Sequence, residues 1–154
     1  MTEVLFYHLE RKSLEDSLPG LLERTRERDW RAIVRAGSAE RLQAIDTHLW
    51  TYSEHSFLAH GTAEEGRPSL QPIFLTTEDE NPNRAQVLFL IGGAAPEDWV
   101  APALKDYVRI VLLFDGRDAE SLSSARSHWR KAKEAGVDVT YLKETPSGKW
   151  EKQA

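Results

Sequence analysis

Apolar residues recur along the chain in two alternating patterns: short dense runs, and longer stretches spaced by three and four. The dense runs predict strands at residues 4–9, 30–35, 73–75, 86–91, 109–114 and 137–142. The run at 86–91 is apolar almost throughout, as in a strand covered on both faces. Helical segments lie between the runs. Residues 14–28 bring Leu14, Leu18, Leu21, Leu22 and Thr25 towards one face. Pro19 and Gly20 interrupt that segment, and proline is tolerated at the first helical position, so Pro19 is a candidate start for the stable helix. Ser38 reads as the N-cap of a second helix running to about His48, with Leu42, Ile45 and Leu49 on its buried face. Arg41, three positions on, leaves a capping box incomplete. Residues 96–107 predict a short helix with Trp99, Ala103 and Leu104 turned inward. Residues 118–135 predict the longest helix, stopped by Gly136. Asp79-Glu80-Asn81-Pro82-Asn83 is a turn signal.

Strands alternating with helices predict an α/β fold with a mostly parallel sheet flanked by helices. At 154 residues the chain suffices for one domain with one core, taken here as 1–154 with a charged tail over 143–154. Residues 49–61 interrupt the regular pattern. They hold Trp50, Tyr52 and Phe57 with His55 and His60, and fit neither a helical nor a strand period. Loops usually run over the surface, so an aromatic loop either folds back on the core or offers a contact surface.

Composition narrows the classes. With no Cys, disulfides and Cys-based zinc sites are excluded, which fits a reducing cytoplasm. The amino terminus lacks the basic and apolar regions of a signal peptide, and the apolar runs are too short to span a bilayer, so no membrane association is expected. A formal net charge of −5 does not suit a protein that holds a DNA backbone unaided, so any DNA contact is expected to be indirect.

This scaffold offers few places for chemistry. Gly92-Gly93, between a strand and a predicted helix, offers a place for an anion, but no G-x-G-x-x-G or G-x-x-x-x-G-K-[ST] motif exists, so the fold is Rossmann-like without a nucleotide-binding fingerprint. His48, His55 and His60 lie close in sequence with Glu54 and Glu64, at spacings that match no zinc template. No nucleophile motif is present. No catalytic residue, cofactor or metal is therefore expected. The long helix is more telling. Leu122, Ala125, Trp129 and Ala132 form a core stripe, and Arg126, Arg130 and Lys133 a basic stripe beside it. One reading is a solvated face complementing the helix dipole. The other is a basic pocket with an aromatic wall, suited to an acidic peptide and its terminal carboxylate.

The chain resembles the chi subunit family of bacterial DNA polymerase III. The resemblance is carried by Val4-Leu5-Phe6-Tyr7-His8-Leu9, by Leu49-Trp50 with Ser56-Phe57-Leu58 and His60-Gly61, by Pro82-Asn83 with Ala85-Gln86-Val87-Leu88, and by Ala135-Gly136. It implies an α/β fold like nucleotide-binding domains but binding no nucleotide, and a non-catalytic, cytoplasmic accessory subunit of the replicative polymerase. It implies two partners: a psi-like clamp-loader subunit, whose surface can also receive a helicase-like protein, and the acidic C-terminal tail of single-stranded DNA-binding protein. On this resemblance the clamp-loader or helicase side falls on Trp50 and Phe57. The tail-binding arginine falls on Arg126 with Trp129 beside it. Leu122 stands where some members carry a lysine, leaving Arg130 and Lys133 to compensate. The competing expectations are a small-molecule or nucleotide-phosphate-binding enzyme using Gly92-Gly93, and a plain assembly scaffold.

Overall fold

The structure is a computed structural model describing residues 2–53 and 57–153. Among these residues seven strands form one sheet in the order β3-β2-β4-β5-β1-β6-β7. The strands are β1 (Glu3–Leu9), β2 (Ala32–Ala36), β3 (Ile73–Thr76), β4 (Val87–Ile91), β5 (Arg109–Asp115), β6 (Asp138–Glu144) and β7 (Trp150–Gln153). All neighbours pair in parallel except β6 with β7. Such a sheet must be covered on both faces. The helices α1 (Leu14–Glu27) and α2 (Ala39–Thr51) cover one face. There Leu18, Leu22, Ile45 and Leu49 pack with Val34, Phe89 and Val111. The helix α3 (Ala119–Glu134) covers the other, where Ala125 and Ala132 pack with Phe6, Leu90 and Leu112.

The helix ends follow their capping chemistry. Ser13, Ser38 and Asp118 accept from the backbone N–H groups of Asp16, Arg41 and Ser121, three residues on in each case. After α3, Gly136 takes φ 78° and its N–H reaches the Lys133 carbonyl at 3.1 Å.

Two helical expectations are corrected. Pro19 does not start α1 but sits inside it. Proline has no N–H to donate, which releases the carbonyl four residues earlier, that of Glu15. His48 on α2 takes that carbonyl with Nε2 at 2.7 Å, so a contact between helices replaces the missing bond. The helix expected over 96–107 is also absent. Pro102 inside it would lack a donor and clash with the preceding turn. Instead a 3-10 helix spans Pro102–Asp106. Trp99 and Leu104 are buried as expected, whereas Ala103 is exposed.

The charged carboxyl-terminal stretch carries an element that the sequence pattern does not announce. A turn closed by the Thr145 N–H on the Lys149 carbonyl, at 2.7 Å, leads into β7. The Trp150 ring meets Tyr7 edge-on, with centroids 4.8 Å apart. At the end of β6, the buried Glu144 accepts from the backbone N–H groups of Glu10, Arg11 and Lys12 at 3.1, 2.8 and 3.0 Å. It therefore fixes the turn leaving β1. Burial raises the Glu144 carboxyl, but the N–H groups of Arg11, Lys12 and Glu10 outweigh it and hold the group below the ordinary glutamate range. A carboxyl depressed in the fold stabilises it above the unfolded titration and ceases to as pH falls through the folded value. Glu144→Ala is expected to cost about 1–3 kcal/mol in urea unfolding at neutral pH, by stranding these donors. The gap between variant and parent should narrow on acidification below the glutamate range; a gap independent of pH would contradict this role.

Candidate functional site

Two surfaces stand out, one on each side of the sheet. The first lies at the end of α2. Leu49 is buried against the sheet, but Trp50, the next residue, points the other way and is 51% exposed. The segment expected to be irregular from Leu49 thus begins inside a helix, since α2 continues to Thr51. The chain returns at Phe57, which is 67% exposed, and the two rings lie with centroids 5.8 Å apart. Glu54, His55 and Ser56 of the aromatic segment lie outside the described residues.

What holds this pair in place is a buried footing. Leu58 and His60 are buried, and Gly61 pairs with Phe74 as a parallel bridge on the outer edge of β3. The Gly61 N–H reaches the Ile73 carbonyl at 3.1 Å, and the Leu75 N–H reaches the Gly61 carbonyl at 2.9 Å. His60 sets its Nδ1 2.7 Å from the Leu58 carbonyl, its Nε2 3.2 Å from Asp46, and its ring 4.5 Å from that of Trp50. The segment therefore does both things an aromatic loop can do: Leu58 and His60 face the core, and Trp50 and Phe57 face solvent.

The second surface lies on α3. Leu122, Arg126, Trp129 and Arg130, with Ala119 and Ser123, line an open depression of about 620 Å³. Trp129 is its fixed wall. The ring meets Phe6 and Tyr141 edge-on, with centroids 5.7 and 5.4 Å away. Lys133 does not line the depression; its Nζ lies 5.1 Å from the centroid of the Trp129 ring. Three of the four predicted residues therefore share one depression, and the fourth touches its wall.

Tyr141 is the contributor that the sequence reading missed. Its hydroxyl lies 2.6 Å from His8 Nδ1. Burial raises the phenol above its ordinary value, and the nearby Arg126 charge pulls it back. Burial lowers His8, against the pull of the Glu10 carboxylate, whose Oε1 lies 2.8 Å from Nε2. The available signal was the alternation of Val139 and Tyr141 on β6, which puts both on the α3 side.

The other candidates fare differently. Gly92 and Gly93 adopt φ 60° and 90° in a turn, but no α-helix follows, so the expected helix N-terminus does not form there. A depression of about 670 Å³ at the carboxyl ends of the strands includes both glycines and Arg41, but also Asp115, Asp118 and Glu120. An anion there would face three carboxylates. His48 and His60 are engaged as described. Among the described residues no group of His, Asp and Glu is arranged to hold a metal ion. Nor is any helix there long and apolar enough to cross a membrane.

The geometry defines a mostly parallel α/β domain with an exposed aromatic pair on one face and a basic, aromatic-walled depression on the other. The sequence model of the family described as DNA polymerase III chi subunit, HolC, matches residues 1–140, and the chain belongs to that family. The chain is also 28% identical over 120 residues to a Rickettsia prowazekii (strain Madrid E) protein named "Probable DNA polymerase III subunit chi". That match covers 75% of this chain and 71% of the relative. The family is a replication subunit, an accessory part of the polymerase.

Exposure separates the residues of the first surface by their energetic role. Trp50→Ala and Phe57→Ala should each change unfolding free energy by less than about 1 kcal/mol. Leu49→Ala should cost about 2–5 kcal/mol by opening a cavity against the sheet. Urea titrations of the three variants check this; a large loss at Trp50 would make it a packing residue.

Proposed function

We propose that the chain is a non-catalytic, cytoplasmic accessory subunit of the polymerase III holoenzyme, bridging a psi-like clamp-loader subunit to the C-terminal tail of single-stranded DNA-binding protein. In this reading the tail binds at Arg126, Trp129, Arg130 and Lys133. Trp50 and Phe57 receive the clamp-loader subunit or, in its place, a helicase-like partner.

The observation that carries the reading is the separation of the two surfaces. A bridge needs two contacts that do not compete. The aromatic pair stands beyond α2 and β3, at one end of the sheet and on one face; the α3 depression stands near β6, towards the other end and on the opposite face. The chemistry of each supports its assigned partner. Two exposed rings beside one another suit a protein interface, where a few residues carry most of the energy and tryptophan is enriched among them. Arginines beside an indole wall suit a terminal carboxylate that follows an apolar residue. Leu122 gives the depression an apolar lining where a lysine would add charge, so the apolar part of the tail carries more of the contact.

The mechanism is tethering. An exposed arginine–carboxylate contact is weak and screened by salt. Many tails on a coated strand raise the effective concentration and keep the assembly at the template without tight binding at any one site. DNA itself is reached through the partner, in keeping with the net charge of −5.

Calorimetric titration with an acidic peptide ending in Asp-Ile-Pro-Phe tests the tail site. Binding should require the final Phe and weaken with salt, and Arg126→Ala should weaken it roughly tenfold or more with the fold intact. Undiminished affinity in Arg126→Ala would remove the assignment. Trp50→Arg should abolish capture of the clamp-loader or helicase partner and spare peptide binding; loss of both would show that Trp50 supports the fold.

A further inference from the structure

Arg24 lies in the last turn of α1, and Arg28 caps it. Cations there complement the helix dipole. That accounts for their charge but not for their surroundings. Together with Arg109, the first residue of β5, they rim a cavity of about 210 Å³ between α1 and the amino-terminal parts of β4 and β5. Its floor is apolar, formed by Val87, Phe89 and Val111, all buried.

Trp30 is the wall that organises the cations. The Arg28 guanidinium carbon lies 5.0 Å from the Trp30 ring centroid, and that of Arg109 lies 5.7 Å away. A guanidinium over an indole face is held in place with its N–H edge still free to donate. Arg109 uses its Nε on Glu3, at 2.5 Å. Among the described residues the guanidiniums of Arg24 and Arg28 have no ion-pair or hydrogen-bond partner; the Arg28 backbone N–H is engaged on the Thr25 carbonyl at 3.2 Å. Tyr7 completes the lining. Burial raises its phenol above the ordinary value, against the pull of Arg109 and Arg24, so it stays protonated and can donate.

Charge selects the ligand. Three guanidiniums less the Glu3 carboxylate leave two positive charges around the cavity. A carboxylate would balance one of them. A phosphate monoester, close to dianionic at neutral pH and with three strong acceptor oxygens, balances both. The apolar floor then calls for an apolar group joined to the phosphate. We propose that this cavity binds a phosphate monoester carried on a small apolar ring, with Arg24, Arg28 and Arg109 on the phosphate and the ring over Val87, Phe89 and Val111. The site lies across the sheet from the α3 depression and does not depend on the function proposed for it.

The test is titration of the full chain at low salt with phenyl phosphate, inorganic phosphate and benzoate, following heat and melting temperature. Phenyl phosphate should bind one saturable site, more tightly than inorganic phosphate and more tightly than benzoate. The double variant Arg24→Gln, Arg28→Gln should weaken it roughly tenfold or more. Both residues are exposed, so the unliganded variant should melt like the parent. Arg28→Lys, which keeps the charge and loses the fork, should weaken binding as well, and Arg126→Ala should leave it unchanged. The proposal is overturned by the absence of saturable phenyl phosphate binding at millimolar concentration, by benzoate or inorganic phosphate binding as tightly, or by full affinity in the double variant.

Discussion

Leu88, Leu90, Ile110 and Leu112 face one way from the two central strands, and Val87, Phe89, Val111 and Leu113 face the other; all are buried. A parallel sheet apolar on both sides cannot leave either side in water. The chain must therefore deliver helices to both faces, and it does so with α1 and α2 on one and α3 on the other. Everything at the surface inherits that division. The outer sides of α2 and α3 cannot meet, because the sheet stands between them. Two partner contacts placed on them would be independent by construction, which is the property a bridging subunit needs.

Each surface is also fixed from beneath. Trp129 is wedged between Phe6 and Tyr141, and Tyr141 is held in turn by His8. Trp50 rests on His60, whose Nδ1 is held on the Leu58 carbonyl. Rings held this way lose little further freedom when a partner arrives, so less of the contact energy is lost to ordering. The short strand pairing at Gly61 has a second effect: it engages part of the outer edge of β3 that would otherwise present unpaired backbone groups.

The strands and α3 were legible because their signals are local. Dense apolar runs, a Ser or Asp cap and a closing glycine lie within a few residues of the elements they define. Pro19 misled because its compensation is not local: the acceptor it frees at Glu15 is taken by His48, which stands 33 residues away. The segment before β5 misled because helical spacing was read across Pro102, whose missing donor and ring bulk forbid the continuous helix that the spacing assumed. β7 carried no signal in its charged composition; its strand state comes from pairing with β6 and from the contact of Trp150 with Tyr7. The basic stripe on α3 was visible from periodicity alone. Its wall was half visible, since Trp129 was assigned to the core stripe and Tyr141 comes from a different element. Family resemblance pointed to Trp50 and Phe57, while the helical state of Trp50 depended on α2 running one turn further than its polar pattern suggested.

In the proposed bridge an acidic tail and a protein partner use different faces of one sheet. Amide chemical-shift mapping of the uniformly labelled chain with the acidic peptide tests it in one measurement. Shifts should concentrate on Leu122, Arg126, Trp129, Arg130 and the facing Tyr141, with Trp50 and Phe57 unmoved. Shifts centred on Trp50 and Phe57, or on Gly92 and Gly93, would contradict it.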